Sequence, residues 1–220
     1  MGKKSAVDLS TTRVISDSFF YSVARGLVLL VKPVKGILLG NLLGPRLYGI
    51  LNIPVPYLQI SNMLSNIGYN TSVLKLMPGY LQEERPDLAR MIYRSSAFLT
   101  VVLSALWAAL LLAFSPWIAE HVAHEPAAVN PMRMYAAIIP FLAVNTFFAA
   151  AYLAVQRGKL GAAISFAYGM LNTFLPVAAV LWRRDVTLIV GAILAAEIIG
   201  AVLYMYYFHA KVLERFKAAA

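Results

Sequence analysis

Residues 95–119 read SSAFLTVVLSALWAALLLAFSPWIA, a run without one charged side chain. Wound as a helix at about 1.5 Å per residue it would reach about 37 Å, longer than the roughly 30 Å hydrocarbon core of a bilayer. The sequence around it repeats the pattern. Residues 134–156, 160–182 and 47–74 are also free of charge, and 186–208 is interrupted only by Glu197. Apolar residues make up 60% of the 220-residue chain and charged ones 13%, with a mean hydropathy of +0.71. Too few charges remain to clothe a water-facing surface, and a chain this apolar is not disordered. The fold class is therefore all-α: a polytopic membrane protein, one lobe of transmembrane helices over residues 1–220.

Residues 14–43 are the ambiguous segment, because they carry Asp17, Arg25, Lys32 and Lys35. Distribution of the basic residues decides it. With six spans at about 14–43, 47–74, 95–119, 134–156, 160–182 and 186–208, Lys3, Lys4, Arg13, Lys75, Arg85, Arg90, Arg94, Arg157, Lys159, Lys211, Arg215 and Lys217 share one side. Only Arg46, Arg133, Arg183 and Arg184 take the other. The positive-inside rule then sets both termini in the cytoplasm. Omitting the charged span would invert every later loop relative to the N-terminus. The net charge of +9 records topology more than an affinity for nucleic acid, and no nucleic-acid partner is expected. Absence of cysteine removes disulfides, thiolate metal sites and thiol catalysis.

At about 100° per residue Asp17, Tyr21, Arg25, Lys32 and Lys35 fall within an arc of about 80°. A charge at the bilayer centre costs about 2.5–3.5 kcal/mol or more, so this stripe lines a hydrated cavity or faces other helices. Its excess is cationic, which suits anions. Glu197, at the middle of the last span, has three open roles: it carries a proton, pairs with Arg25 or Lys32, or coordinates a cation. Asp17 and Glu197 are thus the candidate ion-coupling residues. Gln59, Asn62, Asn66 and Asn70 make an amide stripe that either contacts sugar hydroxyls or joins helices. Gly36-x-x-x-Gly40-x-x-x-Gly44 reads as close packing. Pro33, Pro54, Pro56, Pro140 and Pro176 read as kinks. Glu120-His121-x-x-His124-Glu125 has helical spacing but no further ligands, and reads as a solvated loop, so no metal or other cofactor is expected. Phosphate-binding loops, paired acids and nucleophile motifs are missing, which points away from an enzyme.

Leu43-Gly44-Pro45-Arg46-Leu47-Tyr48-Gly49, followed by Asn66-Ile67-Gly68-Tyr69, resembles the signature after the first helix of polysaccharide and lipid-linked oligosaccharide flippases (Wzx-like proteins) of the MOP exporter superfamily. The resemblance covers the whole chain as helices one to six, with sharp motifs confined to residues 43–72. It implies a transporter that moves a polyprenyl-diphosphate-linked glycan across the cytoplasmic membrane. Two six-helix lobes would form a V around a cationic cavity that opens alternately to each side. Arg25, Lys32 and Lys35 would then meet the diphosphate or an acidic glycan. The chain departs from many relatives at Asn41, where they carry a basic residue, and it matches only their first lobe. Either the chain is a truncated product, or a second copy or another six-helix lobe is the implied partner, beside the bilayer and the lipid-linked glycan. The alternatives are a multidrug-type exporter of the same superfamily, against which the positive stripe argues, and a non-transporting membrane subunit.

Overall fold

The computed structural model describes residues 2–66, 68–83, 85–155 and 157–210, with the side chains of 22–23, 26–66, 68, 71–83, 85–155, 157 and 159–210. All regular structure among them is helical: α1 (Gly2–Asn52), α2 (Val55–Ser65), α3 (Tyr69–Gln82), α4 (Pro86–Trp117), α5 (Val129–Ala154), α6 (Gly158–Trp182) and α7 (Val186–Phe208). A π-helical turn, Ile118–Val122, and a 3-10 turn, Pro126–Ala128, join α4 to α5. Among the described residues five segments are, by length and composition, able to cross a membrane: Gly26–Asn52, Pro86–Val122, Pro126–Ala154, Lys159–Trp182 and Val186–Phe208.

The chain reverses inside α1, at two residues that divide it into a long helix and a short one. Gly44 has φ 75° and ψ 170°, a region that is almost glycine-only. Pro45 in turn disfavours the α conformation for the residue before it. A straight helix would carry Tyr48 about 18 Å beyond Gly36. Instead a Cβ on Gly36 would lie 3.4 Å from the Tyr48 hydroxyl, and one on Gly40 3.9 Å from its ring. Gly36 and Gly40 of the small-residue stripe therefore seat the tyrosine of the signature itself, whereas Gly44, expected to pack with them, makes the turn and has open space beside it. Arg46, from the same turn, lies 3.8 Å from Glu125 in the α4–α5 connection, an exposed pair of small energetic weight.

The segment 47–74, expected as one span, is divided. One part continues α1 to Asn52, a turn at Ile53 and Pro54 follows, and α2 runs from Val55 to Ser65. Pro54 has no N–H to give the preceding turn, and with Pro56 it starts a new helix instead of bending the old one. A second break falls before α3, where Gly68 takes φ 74°. Both α2 and α3 lie against α4 and α5.

Packing follows the order α4–α5–α7–α6–α1. The inward face of α4 is Ser96, Thr100, Ser104, Ala108 and Leu111, while Phe98 and Leu106 face outward. Phe98 is 67% exposed and Ser104 0%, an inversion that only an apolar solvent stabilises. Small residues let helices approach closely where lipid supplies no hydrophobic drive. Two apolar clusters fill the interior. Met132, Ile139, Ile189 and Val190 belong to one. Phe147, Tyr152, Tyr204 and Phe208, with Val73 and Met77 from α3, belong to the other. On α7, Glu197 falls between Ile193 of the first and Tyr204 of the second; on α5, Asn145 falls between Ile139 and Phe147.

Candidate functional site

At that seam four helices meet around one carboxylate. Glu197 is 3% exposed. Tyr168 on α6 donates its hydroxyl to Oε1 at 2.7 Å, and Asn172, one turn further, donates Nδ2 to the same oxygen at 2.8 Å. From α5, Asn145 Nδ2 donates to Oε2 at 2.8 Å and to the Glu197 backbone carbonyl at 3.1 Å. A buried charge is tolerable only when it is hydrogen-bonded and balanced. The balancing cation is Lys35 of α1. Its Nζ donates to the Asn172 backbone oxygen at 2.8 Å and to Asn172 Oδ1 at 3.1 Å. Lys35 and Glu197 thus hold opposite ends of one asparagine side chain, across α1, α6 and α7. Asn145 Oδ1 is buried and has no partner among the described residues.

Two glycines make the arrangement possible. A Cβ on Gly200 would sit 2.5 Å from Tyr168 Cδ2 and 3.2 Å from Asn145 Nδ2. The ring and the amide therefore reach Glu197 only because α7 is bare one turn after it. A Cβ on Gly169 would meet the two methyls of Val28 at 2.6 and 2.7 Å. That contact sets how close α1 lies to α6, two turns before Lys35.

The structure treats the expected site residues differently. Lys35 is half-buried against α6, whereas Lys32 on the same arc is exposed. The side chains of Asp17 and Arg25 lie outside the described residues, as does that of Asn70. Asn66 Nδ2 donates to the Asn62 carbonyl at 2.9 Å and to Asn62 Oδ1 at 3.0 Å. Thr146 reaches Asn62 Oδ1 at 3.5 Å, so these amides tie α2 to itself and to α5. Gln59 is exposed. His121 stacks on Trp117 with ring centroids 5.7 Å apart. No group of three or more metal-ligating side chains occurs among the described residues.

Sequence reasoning missed Asn145, Tyr168 and Asn172. A signal was present: Tyr168 and Asn172 are four apart in an otherwise apolar span, and so lie on one helical face. Asn172 also stands four residues before Pro176.

The sequence profile of a family described as "polysaccharide biosynthesis protein" matches residues 14–219. Comparison with curated proteins and with solved structures gives no match.

Proposed function

We propose, for a chain that belongs to the polysaccharide biosynthesis protein family, that it carries a polyprenyl-diphosphate-linked oligosaccharide or polysaccharide precursor across the cytoplasmic membrane by alternating access. The family match and the long apolar helices make it a multi-pass membrane protein of polysaccharide biosynthesis and transport. The finer reading is carried by one observation: a lysine is held inside the helix bundle, with a second, Lys32, exposed one turn earlier on α1. Cations at such depth are unfavourable next to lipid tails, and they suit a hydrated cavity that receives phosphate. Charged and hydroxylated head groups cross a bare bilayer slowly because they lose water. A cavity with fixed cations replaces part of that hydration.

Lys32 and Lys35, with Arg25, take the diphosphate in this reading, and both termini stay in the cytoplasm. A second six-helix lobe, from a further copy or another chain, completes the cavity on the side where Lys32 is exposed. An ion gradient drives the cycle, with Glu197 as the coupling group in the described region and Asp17 as the other candidate. Reconstitution in liposomes with a fluorescent lipid-linked glycan tests this. Replacing Lys32 and Lys35 together with glutamine is expected to cut transport at least about tenfold. Unchanged transport in that double variant would overturn the assignment.

A further inference from the structure

Proline has no N–H, so Pro176 leaves the carbonyl four residues earlier in α6 without its helical donor. That carbonyl belongs to Asn172. It accepts instead from Lys35 Nζ at 2.8 Å, and the neighbouring Asn172 Oδ1 accepts from the same ammonium at 3.1 Å. The other end of the amide donates to Glu197 Oε1 at 2.8 Å. Asn172 therefore turns two oxygens toward the cation and its hydrogens toward the anion. The exchange partner for Lys35 is visible in this chemistry. An ammonium has three N–H donors, and the two bonds to Asn172 leave one over. Both occupied acceptors are neutral oxygens. A phosphate oxygen is charged, and hydrogen bonds to charged acceptors are roughly twice as strong as neutral ones. The pull of Glu197 works the other way and keeps the lysine at α6.

We propose that Asn172, Pro176 and Glu197 form an internal receptor for the Lys35 ammonium that competes with the phosphate of the transported lipid. They are positioning residues, acting on the substrate through Lys35. Their competition weakens the hold on the substrate and lets it leave. The proposal rests on the reading of Lys35 as a phosphate partner.

The test uses the full chain in nanodiscs of zwitterionic lipid. Binding and dissociation of a sugar-free polyprenyl diphosphate are measured, with the parent polyprenol as the uncharged control. Pro176→Ala returns an N–H to the Asn172 carbonyl and favours the helix, so its fold is not at risk. Glu197→Gln removes the opposing charge with little change of shape. Each is expected to bind the diphosphate roughly tenfold more tightly and to release it more slowly, with polyprenol binding unchanged. In a Lys35→Gln background both gains vanish, and affinity falls below that of the parent chain. If Lys35→Gln weakens binding but Pro176→Ala and Glu197→Gln bind like the parent or more weakly, the competition is refuted and the proposed function stands. Gains that persist without Lys35 also refute it. A parent chain that binds diphosphate no better than polyprenol, with no effect of Lys35→Gln, overturns both readings.

Discussion

Helices α4 and α6 begin from nearly the same chemistry and end in different places. Both carry long uncharged stretches, both bury polar side chains, and each holds a proline that deprives one carbonyl of its donor. In α4 the deprived carbonyl is that of Leu112, four residues before Pro116, and the nearby Ser115 hydroxyl covers it at 2.9 Å. Ser104 likewise bonds within its own helix, to Val101 at 3.0 Å. In α6 the deprived carbonyl is covered by a lysine from another helix, and Tyr168 and Asn172 both reach the carboxylate of α7. Buried polarity alone therefore does not mark a working site. What sets the α6 cluster apart is that its partners are charged groups of other helices. Self-satisfied hydroxyls keep a helix face narrow, whereas a network across helices ties separate elements into one electrostatic unit.

The largest break in this contrast is Glu197→Ala. Removing one member of a buried charged network leaves Lys35 without its counter-charge, at a cost of about 3–5 kcal/mol. Equilibrium unfolding of the detergent-solubilised protein measures it, and Ser104→Ala under the same conditions should stay within about 1 kcal/mol. A loss of similar size in both would erase the distinction between the helices. Gly200→Ala comes next. Its new methyl would press on Tyr168, already 2.5 Å from the Cβ position, and overpacking of this kind costs about 1–3 kcal/mol. Tyr168→Phe in the Gly200→Ala chain should recover little, since the ring and not its hydroxyl makes the clash. Smallest is Ser115→Ala, which leaves the Leu112 carbonyl bare and should cost about 1 kcal/mol with transport unchanged. A transport defect there would place α4 in the cycle alongside α6.

Much of the fold was legible because it depends on local rules. Uncharged runs give helices, and the short gap between the spans 14–43 and 47–74 gives the place of the first reversal, although Gly44 itself is expected to pack and instead makes the turn. The broken course of 47–74 was less legible: proline at 54 and 56 predicts kinks, but two prolines beside an irregular polar run end one helix and start another. Lys35 and Glu197 stood out singly because an ionisable group within a span is costly. A partner for Glu197 on the first helix was legible, as Arg25 or Lys32; that it is Lys35, reached through Asn172, was not. Asn172 lies 137 residues from Lys35 in sequence, and no periodicity within one helix reports which neighbouring helix a side chain meets. The amides Asn62 and Asn66 are a different case. Their spacing allows sugar contacts or helix joining, and the contacts of Asn62 and Asn66 to each other and to Thr146 fit the second.

That separation of 137 residues also has a consequence in time. At about 5–20 residues per second, synthesis takes about 7–27 s to pass from Lys35 to Asn172. Throughout that interval the first helix exists and its acceptor does not. A lysine without that acceptor is costly at membrane depth, so until then its ammonium needs another solvent, such as water or lipid phosphate. The packing of α1 on α6 is therefore a contact that synthesis cannot complete early.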